Sequence, residues 1–410
     1  MKKILFKNIK GLVQCGEHLN SLVSGQFMSE IPILENAFLA VEDGEIVAYG
    51  PMDEWGGVED WRNLEVIDAE GKYILPAFCD SHTHTVFAKT REEEFVDRIK
   101  GLSYEEIALK GGGILNSARA LQGMSEDELF EQARIRIEKM INCGTGALEI
   151  KSGYGLNVEA ELKMLRVIKR LKSHFQIPIK ATLLAAHAFP VEFKENHRGY
   201  IDLIIKEIIP AVQKEELADY IDVFCERNYF SVDEMEEILK AGILAGLKPK
   251  VHVNQFSSLG GIQKACEMQA LTVDHLEEIT ADDINALKKS STLPVFLPGC
   301  SHFLSIPFSD ARQFISENIP FALASDFNPG STPCYNLNTI WSLACVKMKL
   351  TPEEALNALT INAAFAMELY QSHGSISLGK KPGLILTKEI PSLAYIPYSF
   401  GENCIERVFM

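Results

Sequence analysis

The stretch Asp80-Ser-His-Thr-His-Thr85 places two imidazoles one residue apart, directly after the apolar run Tyr73-Ile-Leu-Pro-Ala-Phe78. On an extended strand residues i and i+2 share a face, so His82 and His84 can aim at one point while Thr83 turns away. Five of the ten histidines, at positions 82, 84, 187, 252 and 275, fall at or just beyond the ends of four apolar runs. His252, in Val251-His-Val-Asn254, adds a third imidazole, and Asp326, in Ala324-Ser-Asp-Phe-Asn-Pro-Gly330, adds a carboxylate oxygen. Three imidazoles and a carboxylate with room for water describe a mononuclear catalytic zinc or iron site. His275, in Val273-Asp-His-Leu-Glu277, is suited to bonding the water of such a site and shuttling its proton. Asp80 and Ser81 are expected to hold the turn.

Further polar groups cluster near the same run ends. Arg91 follows the histidine pair, Tyr154 sits between glycines in Glu149-Ile-Lys-Ser-Gly-Tyr-Gly155, and Tyr104 lies in Gly101-Leu-Ser-Tyr104. A guanidinium fork and phenol hydroxyls at one mouth are what a substrate carboxylate needs. Gly111-Gly-Gly113 lacks the lysine and the strand-to-helix setting of a phosphate loop, and is read as a mobile loop. His302 is expected on the rim and not as a ligand.

The elements that must position these groups can be counted. Eight apolar runs, 74–82, 146–151, 179–187, 220–226, 249–253, 271–275, 293–298 and 321–326, have the length and Val/Ile/Leu/Phe content of strands buried on both faces. Helical segments separate them. Ser125-Glu-Asp-Glu128 and Ser231-Val-Asp-Glu234 are capping boxes, Thr351-Pro-Glu-Glu354 starts a late helix, and 356–369 continues the helical pattern. The alternation predicts an α/β fold, a (β/α)8 TIM-like barrel, whose active groups gather at the C-terminal ends of the strands. Both chain ends instead carry short β-like pieces, with Asp43-Gly44 as a hairpin turn. Residues 1–72 and 368–410 are therefore expected to pair into one small β-sandwich domain, leaving 73–367 as the barrel.

With 56 acidic against 40 basic side chains the net charge is -16, which argues against a nucleic-acid partner and for small molecules. The start MKKILFKNIK is too short in apolar residues for a signal-peptide core, and no window suits a membrane span, so no membrane partner is expected. Nine cysteines without a C-x-x-C pair suggest reduced core residues in the cytoplasm.

Pro76-Ala-Phe-Cys-Asp-Ser-His-Thr-His-Thr85, Glu149-Ile-Lys-Ser-Gly-Tyr-Gly-Leu156, Ala186-His-Ala188, Ser325-Asp-Phe-Asn-Pro-Gly-Ser331 and the tail Gly379-Lys-Lys-Pro-Gly-Leu-Ile385 run nearly the whole length of the chain. Together they resemble the amidohydrolase superfamily, and within it the enzymes that open a carboxylated imidazolone ring in histidine degradation. The resemblance implies that His82, His84, His252 and Asp326 bind one zinc or iron ion per subunit. It implies that Arg91, Tyr104 and Tyr154 hold a propionate carboxylate, that His187 touches the ring, and that Asn328, Gly330 and Ser331 line the product side. The implied reaction is hydrolysis of 4-imidazolone-5-propanoate to N-formimidoyl-L-glutamate, with Asp326 and His275 moving the proton, in a homodimer. One departure is Gln255 in His252-Val-Asn-Gln255, where related sites often carry a glutamate shuttle; an amide cannot titrate and can only orient substrate or water. The aspartate usual in the superfamily's tail is also absent. A ring deaminase, another cyclic amidohydrolase and a non-catalytic scaffold are the competing readings.

Overall fold

The structure is a computed structural model that describes residues 2–16, 21–58, 60–102, 106–107 and 110–410. Its first five strands are β1 (Lys3–Val13), β2 (Ile33–Glu42), β3 (Glu45–Pro51), β4 (Leu64–Asp68) and β5 (Lys72–Pro76). The next eight, β6 (Phe78–Asp80), β7 (Thr145–Lys151), β8 (Ile179–Ala186), β9 (Tyr220–Cys225), β10 (Lys248–Val253), β11 (Thr272–His275), β12 (Leu293–Phe296) and β13 (Ala322–Leu323), pair in parallel, each with the next. The last two, β14 (Leu384–Glu389) and β15 (Ile405–Phe409), return to the first sheet.

The eight parallel strands form the expected barrel. Every residue of β7, β9, β11 and β12 is buried, as strands covered on both faces must be. The two ends of the sheet meet just past β6 and β13, where the Asp326 amide donates to the His82 carbonyl (3.0 Å) and the His84 amide to the Phe327 carbonyl (2.9 Å). The seam of the barrel thus runs through the residues proposed to do chemistry. Capping boxes at Ser125, Ser231 and Thr351 start the helices Glu126–Asn142, Val232–Leu244 and Pro352–Leu359. The helical pattern over 356–369 is interrupted at Thr360 (φ -122°, ψ -86°), and a second helix spans Ile361–Ala366. The break occurs where the chain ends are pinned: Thr360 Oγ1 donates to the Leu356 carbonyl (2.6 Å) and accepts from Gln14 Nε2 (2.7 Å).

The chain ends form one seven-stranded mixed sheet in the order β15-β14-β5-β1-β2-β3, with β4 also on β1. β1 pairs with β4 through residues 3–7 and with β5 through Gly11 and Leu12, on either side of a bulge at Asn8 (φ 55°). Phe6 of β1 and Phe409 of β15 are three strands apart in that order, yet their rings meet edge to face at 4.9 Å. The sheet therefore curls back on itself and encloses Phe6, Ile9, Leu12, Leu39, Ile74 and Phe409 as a sandwich would. Asp43 (φ 48°) and Gly44 (φ 80°) turn the β2–β3 hairpin, the backbone of a type I′ turn. β5 pairs with β1 and β14, so the continuous run 74–82, which begins just after the boundary expected at 72/73, leaves one sheet and enters the other without any change in composition. This splice ties the terminal sheet directly to β6, which leads into His82 and His84.

Candidate metal centre and substrate pocket

His84 Nε2 lies 3.4 Å from His252 Nε2, and Asp326 Oδ1 lies 3.5 Å from His82 Nε2 and 3.6 Å from His84 Nε2. The ligand atoms of His82, His84 and His252 fall within 4.8 Å of one another. Thr83 turns away and donates to the Glu149 carbonyl at 2.6 Å. The Asp326 backbone is left-handed (φ 53°), and Ser331 Oγ (3.2 Å) and Thr332 Oγ1 (3.1 Å) donate to its Oδ2, leaving Oδ1 toward the imidazoles. Such a backbone costs about 1–3 kcal/mol in a non-glycine residue and persists only where its surroundings hold it.

The tautomers are legible from the partners. His82 Nδ1 is 2.6 Å from Asp274 Oδ2, and His252 Nδ1 is 2.8 Å from Asp222 Oδ2. Carboxylate oxygens only accept, so both Nδ1 atoms carry hydrogen and both Nε2 atoms present lone pairs. His82 Nε2 is buried with no hydrogen-bond partner among the described residues. Burial lowers the pKa of His82, His84 and His252, keeping them neutral as ligands must be. A neutral imidazole set with one carboxylate fits a divalent metal ion.

Two carboxyls nearby behave differently from surface groups. Burial raises the Asp326 pKa, opposed by His275. His275 itself is disfavoured as a cation by burial, but Glu277, whose Oε1 lies 3.4 Å from its Nδ1, together with Asp326 raises its pKa. His275 (φ 91°) and Leu276 (φ 63°) bend the chain so that Glu277 folds back on the imidazole. Asp80 accepts from the Ser325 amide (2.9 Å) and hydroxyl (2.6 Å), fastening the first strand end to the last, and burial raises its pKa to about 7. Ser81 is fully buried beside it, and His302 is exposed.

The mouth above the imidazoles brings together most of the residues expected to hold substrate. Arg91, Tyr154, His187, Gln255, His275, Asp326, Asn328 and Ser331 line one pocket with His84 and His252. Arg91 is 7% exposed; its Nε pairs with Glu94 Oε2 at 3.3 Å, while Nη1 has no hydrogen-bond partner among the described residues. Gly330 is glycine because a Cβ there would collide with the Arg91 guanidinium. Asn328 organises that loop: its Oδ1 accepts from the amides of Gly330 (2.8 Å) and Ser331 (2.7 Å). His187 stacks on His84 (centroids 5.2 Å apart, 13°), its Nδ1 donates to the Gly153 carbonyl (3.2 Å), and burial lowers its pKa to about 3. Gln255 Nε2 donates to Cys300 Sγ at 3.2 Å. Tyr104 lies outside the described residues. The glycine loop read as mobile is tied down at its end, since the Gly113 amide donates to both oxygens of the buried Glu94 carboxylate (3.1 Å each).

Several residues escaped the sequence reading. Ile114 and Phe224 supply apolar walls, and Glu94 backs Arg91. Below the imidazoles Glu149, Lys151, Asp222, Lys250 and Asp274 are all buried. A signal existed: β7, β9, β10 and β11 each carry charge inside an otherwise apolar run, and a strand buried on both faces has no solvent to receive it.

The chain belongs to the amidohydrolase family, whose model matches residues 73–410. It is 56% identical over 406 residues to the imidazolonepropionase of Flavobacterium johnsoniae, covering 99% of this chain and 98% of that one. It is 40% identical over 384 residues to the imidazolonepropionase of Thermoanaerobacter pseudethanolicus, covering 94% of this chain and 91% of that one. Among solved structures it superposes on E. coli guanine deaminase with a TM-score of 0.76 at 12% identity, covering 100% of this chain and 98% of that one. An adenosine deaminase from Xanthomonas campestris with bound zinc gives 0.71 at 13% identity, covering 100% of this chain and 92% of that one. These two show the fold; the full-length relatives place the chain among the imidazolonepropionases.

Proposed function

We infer that this chain hydrolyses the ring of 4-imidazolone-5-propanoate to N-formimidoyl-L-glutamate in L-histidine catabolism, the activity for which its relatives are named. The observation that carries the reading is the juxtaposition of a buried, incompletely paired arginine with a three-imidazole, one-carboxylate cluster in one pocket. His82, His84, His252 and Asp326 would hold one zinc or iron ion per subunit, whose chemistry is to polarise a carbonyl and lower the pKa of water.

Arg91 binds the propionate carboxylate, with Tyr154 and Tyr104 as hydroxyl donors, and so fixes the ring over the imidazoles. His187, neutral at physiological pH, contacts the ring through its face or its remaining nitrogen. Asp326 takes the proton of the attacking water, and His275, held by Glu277, passes it to the departing ring nitrogen as the C–N bond breaks. Gln255 orients the substrate or water without exchanging protons, and Asn328, Gly330 and Ser331 shape the side from which the opened product leaves. The barrel, residues 77–367, and the terminal sheet form the two domains.

The chain is proposed to work as a cytoplasmic homodimer on this small molecule, without nucleic acid or membrane. All nine cysteines are free, and no helix among the described residues is long and apolar enough to cross a membrane. Metal-loaded protein mixed with freshly prepared imidazolone propionate should remove the ring's ultraviolet absorbance; an unchanged spectrum would overturn the assignment. Light scattering in solution tests the dimer.

A further inference from the structure

Glu149, Lys151, Asp222, Lys250 and Asp274 come from four strands, meet in the dry interior under the imidazoles, and do not line the substrate pocket. Burying charges is costly unless each is paired, so a cluster of this size calls for a function. Its hub is Lys151, whose Nζ lies 2.7 Å from Glu149 Oε1, 2.8 Å from Asp222 Oδ2 and 3.5 Å from Asp274 Oδ2. The last two oxygens are the same atoms that accept from His252 Nδ1 and His82 Nδ1. Lys250 pairs with the other oxygen of Glu149.

We propose that Lys151 is a positioning residue for the metal centre: by gripping Asp222 Oδ2 and Asp274 Oδ2 at once, it fixes the Nδ1–H tautomers of His252 and His82 before any cation arrives. Two of the three imidazoles then present lone pairs without rearrangement. The ammonium form suits this role: burial disfavours it, but Asp222, Glu149 and Asp274 outweigh burial and raise its pKa. His84 is the internal control, because its Nδ1 has no hydrogen-bond partner among the described residues and nothing in the cluster fixes its tautomer.

Without Lys151, three carboxylates would face one ammonium; Asp222 and Asp274 repel each other and the imidazoles turn with them. The test reads metal retention and tautomer separately from turnover. Lys151→Met, folded by circular dichroism, should retain zinc about 10- to 100-fold less tightly than wild type against a competing chelator, the usual size of an outer-shell loss. Adding Asp274→Asn to Lys151→Met should restore much of that retention, since the amide oxygen still accepts from His82 while the surplus charge is gone. Wild-type retention in Lys151→Met, or a double variant no better than the single one, would overturn the proposal. If Lys151→Met does not fold, Lys151→Gln is read without metal by long-range proton–nitrogen NMR: a mixture of tautomers at His82 and His252 supports the proposal, and wild-type Nδ1–H at both defeats it. The proposal rests on the metal-centre reading, and a wild type that takes up neither zinc nor iron would defeat that reading whatever its tautomers.

Discussion

The interior of the terminal sheet and the upper interior of the barrel are packed by opposite means. The sheet encloses Ile4, Phe6, Ile9, Leu12, Leu39 and Phe409, a cluster held by burial alone. The barrel holds Glu149, Lys151, Asp222, Lys250 and Asp274, three neutral imidazoles and the carboxyls of Asp80, Glu277 and Asp326, whose pKa burial raises, in a space that is equally dry. An apolar cluster tolerates small shifts and gives most of what it has to stability. A buried polar cluster contributes little net stability but has few alternative arrangements, because any displaced partner leaves an unpaired charge. The fold thus separates the region that keeps the chain together from the region that keeps atoms in place.

Substitutions can break this contrast at several levels. The largest effect is expected from Asp326→Ala: turnover should fall about 10⁴-fold or more, with loss of metal, while the melting temperature of the metal-free protein changes little, because removing a buried carboxyl offsets the added strain of an alanine in a left-handed backbone. A large fall in melting temperature would show that the site also carries stability. Phe6→Ala, in the opposite region, should cost about 3–5 kcal/mol in denaturant unfolding with unchanged kcat and KM in the folded fraction. Arg91→Ala should raise KM about 10- to 100-fold with kcat little changed, the loss of one charge-assisted pairing; unchanged constants would remove the carboxylate assignment.

The smallest effect concerns pH. Burial lowers His187 to about 3 and His373 to about 4, and lowers His82, His84 and His252 as well. Below the ordinary histidine value near 6.5 the unfolded chain gains protons that these folded imidazoles refuse, so they withdraw stability from the metal-free protein as pH falls from about 6.5. Asp80, raised to about 7, and Asp326 and Glu277, also raised, bind protons when folded and offset part of that loss. His373→Gln should flatten this slope only slightly, because most of the depressed imidazoles belong to the barrel. Melting curves at pH 7.5 and pH 5 read both terms.

How much of this was legible in the sequence follows the same division. His82, His84, His252 and Asp326 could be placed together because each ends a countable strand, and barrel topology brings strand ends to one mouth. Arg91 could be tied to them by proximity in sequence. The role of Lys151 could not, since its partners Asp222 and Asp274 lie on other strands and only side-chain geometry shows one ammonium reaching both. The curl of the terminal sheet was equally hidden, because it depends on Phe6 meeting Phe409. The break at Thr360 falls where its hydroxyl accepts from Gln14, a contact that no local helical pattern can encode.

The position of β5, between β1 and β14, has a consequence for how the chain is made. During synthesis β5 emerges roughly 300 residues before β14, so one row of its amides and carbonyls waits unpaired while the whole barrel is translated. A nascent chain stalled or truncated before Leu384 would expose that edge next to the strand bearing His82 and His84, an open template for another chain. β14 therefore acts as a seal on a strand made long before it.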